Sequence, residues 1–146
     1  MKSLNALQPL ALLLLRVALG VIFMSHGYPI LAHRTSATHA LFAQHGLPGY
    51  FVYVSGVLEL FGGGLLLLGL FTRGAALLLA AEMVFLMLKV YAPHSYLAVN
   101  EYAYPMAVAA GCFALATTGA GLISVDYPLF ESGGKARAPR NSKPGK

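Results

Sequence analysis

The sequence predicts an all-α integral membrane fold, a bundle of four helices with both termini in the cytoplasm, and three observations carry that prediction. Hydrophobic residues make up 58% of the chain and charged residues 10%, with a mean hydropathy of +0.68, whereas a soluble domain carries about 25% charged residues. Four apolar blocks, residues 10–31, 50–71, 74–92 and 102–123, are each long enough at about 1.5 Å per residue to cross a hydrocarbon layer of ~30 Å. Four of the five carboxylates lie inside these blocks or at their ends. A charge at mid-bilayer costs about 3 kcal/mol on insertion scales, so Arg16, His26, Glu59, Glu82 and Lys89 must be paired or line a polar cavity.

The first block follows Lys2 and an apolar run, as a secretory signal would. Arg16 interrupts the run, the apolar stretch continues to Leu31 and no small-x-small cleavage site follows, so it reads as the first span. Residues 33–49 form the one substantial loop. Within it, 35–44 predicts a short interfacial helix, with Thr35 or Ser36 as its cap and Leu41 and Phe42 toward the bilayer, ended by Gly46, Pro48 and Gly49. The second and third blocks are joined by 69–74, which reads as a C-cap glycine at Gly69, a tight turn and an N-cap at Thr72, making an antiparallel hairpin. Pro93 ends the third block, and Pro105 falls in the first turn of the fourth, where proline is tolerated. Residues 1–131 then form one membrane domain and 132–146 a disordered basic tail.

A net charge of +5 suggests a nucleic-acid partner until it is located. The tail alone holds Lys135, Arg137, Arg140, Lys143 and Lys146, and residues 1–131 are neutral, five against five, so the partner expected is the lipid bilayer and no nucleic acid. Four spans put both termini on the side of Arg73, and with Lys2 and the tail the positive-inside rule makes that side cytoplasmic. The one cysteine, Cys112, is mid-span, which excludes an intramolecular disulfide or a Cys-x-x-Cys relay.

Depths counted from the cytoplasmic side suggest partners. Arg16 lies about 9 Å in and Glu82 about 12 Å in, which predicts a structural ion pair between the first and third helices. Glu59 at about 18 Å, Lys89 at about 22 Å and His26 at about 24 Å fall in one band on separate helices. They are the candidates for catalysis, in a pocket open to the outer face. Its rim is assigned to Tyr53, Tyr91, Glu101 and Tyr102, with His94 nearby. Seven of the eight tyrosines sit at outer ends, whereas an aromatic belt should mark both interfaces. Gly20 and Gly27 on the first helix, and Gly56 and Gly63 flanking Glu59 on the second, predict a close crossing there; such glycine faces would also permit a homodimer.

Haem is excluded because His26 is the only intramembrane histidine. His33, His39, His45 and His94 have no Cys, Asp or Glu beside them to complete a metal site. The Gly62-Gly63-Gly64 run is mid-span and is no phosphate loop.

In order, the landmarks Arg16-x-x-x-Gly20, His26-Gly27, Glu59-x-x-Gly62-Gly63, Gly69-Leu70-Phe71-Thr72-Arg73, Asn100-Glu101 and Gly119-Ala120-Gly121-x-x-Ser124-x-Asp126 resemble the DoxX family. The resemblance implies a small four-helix multi-pass protein of the bacterial cytoplasmic (inner) membrane, associated with quinone-linked sulfur oxidation or with redox-protein partners and labelled an oxidoreductase by inheritance. Two functions follow as expectations. One is a redox accessory in which a quinone is the cofactor, His26 and a tyrosine donate to its carbonyls and Glu59 shuttles protons. The other is a non-catalytic scaffold that docks a partner. Transport of protons or small molecules along Glu59 and Glu82 ranks third, because four short helices show no inverted repeat.

Overall fold

The computed structural model describes residues 7–33, 35–91, 99–119, 121 and 124–126, with the backbone alone at 91 and 99–101. Among these, every regular element is helical: α1 (Gln8–Ala32), α2 (Thr35–Gln44), α3 (Tyr50–Leu68), α4 (Thr72–Leu86) continued by a π-helical turn (Met87–Tyr91), and α5 (Val99–Thr118). The expected basic tail, His94 and Pro93 lie outside the described residues.

Helices α1 and α3 are long and apolar enough to cross a membrane, at 25 and 19 residues. Large apolar side chains cover the outside of the helices, Leu14, Phe61, Leu68, Leu77 and Phe113 among them. The interior is filled by Leu19, Phe23, Val52, Leu66, Leu79, Met83, Cys112 and Leu115.

The packing order is set by α1 against α3, α3 against α4, α4 against α5, and α5 back against α1. Helix α1 reaches α3 closely because its glycines leave room. A methyl group at Gly27 would stand 2.5 Å from the Leu60 nitrogen and 2.8 Å from the Gly56 carbonyl oxygen, and one at Gly20 would stand 2.9 Å from the Gly63 carbonyl oxygen. Small residues allow this backbone approach in helix pairs, and the crossing lies beside Glu59, whose Cβ is 3.0 Å from the same point at Gly27.

Gly69 closes α3 in the left-handed conformation (φ 67°). The Leu70 N–H reaches the Leu65 carbonyl at 3.0 Å and the Gly69 N–H the Leu66 carbonyl at 3.1 Å, the two bonds of a Schellman closure. The start of α4 departs from the expectation. Thr72 is its first helical residue, and the cap position is Phe71, left-handed at φ 50° with no side-chain cap of its own. The cap comes from far along the chain: Asp126 Oδ1 accepts the Phe71 N–H and Oδ2 the Thr72 N–H, both at 2.7 Å, while the Asp126 N–H donates to the Gly69 carbonyl at 2.9 Å.

Three further local readings are corrected. Thr35 does not cap α2, because its hydroxyl turns back to the Ile30 carbonyl at 2.7 Å and the Leu31 carbonyl at 3.3 Å. Phe42 is buried rather than turned to the bilayer. Helix α5 begins at Val99, three residues before the expected block, so Pro105 is interior; the proline removes one rung of the ladder.

Candidate functional site

At the His26 end of the helices a cavity of about 280 Å³ is lined by residues of all five. Helix α1 contributes Ser25 and His26, α2 Thr38 and Phe42, α3 Ser55 and Glu59, α4 Met83 and Leu86, and α5 Tyr104 and Pro105. Glu59 is 5% exposed, pinned by the glycine crossing, and its Oε2 is buried without a hydrogen-bond partner among the described residues. Such an oxygen is costly until a donor or a proton completes it.

His26 stands at the mouth, exposed. Its Nδ1 lies 2.9 Å from the Ile22 carbonyl, 3.2 Å from the Tyr104 hydroxyl and 3.4 Å from Ser25 Oγ. A carbonyl oxygen only accepts, so this contact places the proton of a neutral ring on Nδ1 and the lone pair on Nε2. The Tyr104 ring lies against the imidazole, with centroids 5.2 Å apart.

A second cavity, also about 280 Å³, opens between α3 and α4 and is apolar apart from Ser55 and Glu82. Ser55 Oγ donates to Glu82 Oε1 at 2.6 Å, and Glu82 Oε2 is buried without a hydrogen-bond partner among the described residues. Ser55 and Leu86 line both cavities. A larger groove between α4 and α5, about 720 Å³, has only apolar lining and carries no chemistry.

The structure brings His26 and Glu59 into one cavity and leaves Lys89 out of it. Lys89 is exposed, on the π-helical turn, and Val90 is the buried residue there. A continuous α-helix would set position 89 over Leu86; the wider turn of the π-helix carries it round to the outside. Tyr53, 57% exposed, and Tyr102 are not in the lining. The side chains of Tyr91 and Glu101 lie outside the described residues.

The expected ion pair between Arg16 and Glu82 is replaced by other partners. Helices α1 and α4 are not packing neighbours, and Glu82 is bound by Ser55 and acts electrostatically on Glu59. Arg16 lies at the opposite end, where the charge that acts on it is Asp126. Its guanidinium lies so close to Gly69 that a methyl group there would be 2.5 Å from it and 2.9 Å from Ser124 Cβ.

The residues missed by sequence reasoning are Ser25, Thr38, Ser55 and Tyr104 in the cavity and Asp126 at the other end. For Ser55 a signal existed, since it precedes Glu59 by four and so shares its helical face. Among the described residues, no three His, Cys, Asp or Glu side chains gather as metal ligands.

The DoxX family profile matches residues 11–92. The chain belongs to the DoxX family. It is also similar to a protein of Bacillus subtilis (strain 168) named "Putative oxidoreductase CatD", 31% identical over 119 residues, which span 82% of this chain and 87% of the relative. No solved structure matches it. The DoxX match runs from α1 through the π-helical turn, so the segments supplying His26, Ser55, Glu59 and Glu82 fall within it, while Tyr104 and Asp126 lie beyond.

Proposed function

We propose that this DoxX protein is a quinone-linked, redox-associated accessory component of the bacterial cytoplasmic membrane, and that its polar cavity holds the ring of a lipophilic quinol. In this reading the chain crosses the bilayer four times with both termini inside, and a redox-protein partner takes the electrons. The observation that carries the proposal is the pairing, in one cavity, of an unsatisfied carboxylate oxygen on Glu59 with an imidazole whose Nε2 presents a lone pair. Both are acceptors. They fit the hydroxyl groups of the reduced ring, whereas carbonyl oxygens of the oxidised ring would need donors, which revises the expectation that His26 donates.

The cavity is at the lower end of the size of small-molecule sites, about 300–1,000 Å³, and suits one ring with its tail outside. A bound quinol supplies an electron pair and its protons. His26 Nε2 and Glu59 Oε2 accept its hydroxyl protons. The Ile22 carbonyl fixes the imidazole, and Phe42, Met83 and Leu86 keep water from the ring.

A non-catalytic membrane component is the second reading, and the Asp126 clasp favours it, because those charges serve to hold helices together. Extraction of the purified full-length protein from native membrane separates the two. Quinone enriched over bulk lipid and lost in Glu59→Gln supports the quinol cavity, since the amide keeps the shape but takes no proton. A preparation carrying quinone only at the bulk-lipid ratio rejects it.

A further inference from the structure

Glu59 faces the polar cavity, Glu82 faces the apolar cavity between α3 and α4, and Ser55 lines both. The 2.6 Å contact from Ser55 Oγ to Glu82 Oε1 is the length of a hydroxyl bonded to a carboxylate, about 2.5–2.7 Å. A serine that donates to Glu82 keeps lone pairs that accept from the cavity side. Each glutamate also has an Oε2 that is buried and without a hydrogen-bond partner among the described residues. Among the described residues, no Lys or Arg lines either cavity. Among the described residues, the ionisable groups that face the pair are His26 and Tyr104 across the polar cavity; Arg16 lies with Asp126 at the far end, and Lys89 is exposed.

We infer that Glu59, Ser55 and Glu82 form a single proton-sharing unit that passes a proton between the polar cavity and the α3–α4 crevice. Two neighbouring carboxylates with no cation beside them repel one another when both are charged, and one proton held between them removes the repulsion and completes one of the orphaned oxygens. In the transfer, the Oγ–H bond of Ser55 breaks as its proton passes to Glu82 Oε1. Ser55 Oγ takes a proton from the Glu59 carboxyl through a cavity water, for which there is room. One proton thus moves from Glu59 to Glu82 and one negative charge moves the other way. Glu59 is then ready to accept the next proton from the cavity. The unit rests on the quinol reading only for the source of that proton; the exchange belongs to the ligand-free protein.

Infrared spectra of the full-length protein in lipid, without quinol and across a pH series, test it. The part of the wild-type neutral-carboxyl absorption that belongs to Glu59 and Glu82, identified by its loss in their Gln variants, is expected to disappear in two steps. In Glu59→Gln or Glu82→Gln one step vanishes and the survivor moves by about one pH unit or more, the size that marks coupled sites. Ser55→Ala should keep both steps and shift the Glu82 band as its hydrogen bond is lost. If a Gln variant does not fold, Glu59→Asp replaces it, since withdrawing the acid by a methylene must still displace the Glu82 step. Survivors that titrate where they did in the wild type, or Gln variants that remove no step from the neutral-carboxyl absorption, overturn the inference. Quinol binding without coupled steps removes the relay alone, and coupled steps without quinol binding remove the quinol reading alone.

Discussion

Asp126 caps a helix that begins at Thr72: its two carboxylate oxygens accept the first backbone N–H groups of α4, at 2.7 Å each. The anion also meets the positive end of the helix dipole. Phe71, a bulky residue at φ 50°, stays in that unfavourable conformation because its N–H is held by the same carboxylate. Asp126→Ala is expected to cost about 1–2 kcal/mol, as loss of a helix cap does, with Asp126→Asn retaining part of it. Unfolding in mixed micelles measures the difference.

The pairing of charges is testable by thermodynamic cycles. Arg16→Met combined with Asp126→Asn should be non-additive by about 0.5–3 kcal/mol, whereas Arg16→Met combined with Glu82→Gln should add within about 0.5 kcal/mol. Coupling between Arg16 and Glu82 in unfolding measurements would restore the pair that depth alone suggests.

Gly27→Ala introduces a methyl group into the backbone of α3 and should destabilise by about 1–3 kcal/mol, the range for overpacking. Gly64→Ala, where a methyl group meets nothing within 4 Å, is the control. It should match or exceed wild-type stability, since alanine favours a helix over glycine by about 1 kcal/mol.

Lys89 and His26 should separate cleanly in ligand retention. Lys89→Gln leaves the quinone content of purified protein unchanged, and His26→Phe lowers it severalfold while preserving yield. Equal losses in the two would return Lys89 to the site.

Orientation has its own measurement. Cys112 is fully buried, so labelling of introduced cysteines reads against a low background. Ser36→Cys should react with an impermeant reagent added outside intact cells and Asn141→Cys should not; the reverse pattern places the termini outside.

What the sequence made legible was spacing along single helices. Gly20, Gly27, Gly56 and Gly63 announced the crossing beside Glu59, and Gly69 announced the end of α3, because each effect is decided by residues a turn or two apart. Depth along a span also puts His26 and Glu59 in one layer, and both line the polar cavity, while Lys89, in the same layer, does not. Depth says nothing of azimuth or of which helices are neighbours, and for that reason Arg16 was matched to Glu82 across helices that do not pack. Lys89 failed for a different reason: a π-helical turn changes the angular step, and nothing in Met87-Leu88-Lys89-Val90-Tyr91 marks it. Asp126 was read as a family landmark, but its partner lies 55 residues away, beyond any local rule.

The same separation fixes an order of assembly. Ribosomal synthesis makes Phe71 and Thr72 well before Asp126, so α4 first forms with its leading N–H groups open, to be sealed only after α5 has followed it. A chain that stops before Asp126 holds all five helices and lacks the latch that closes the start of α4.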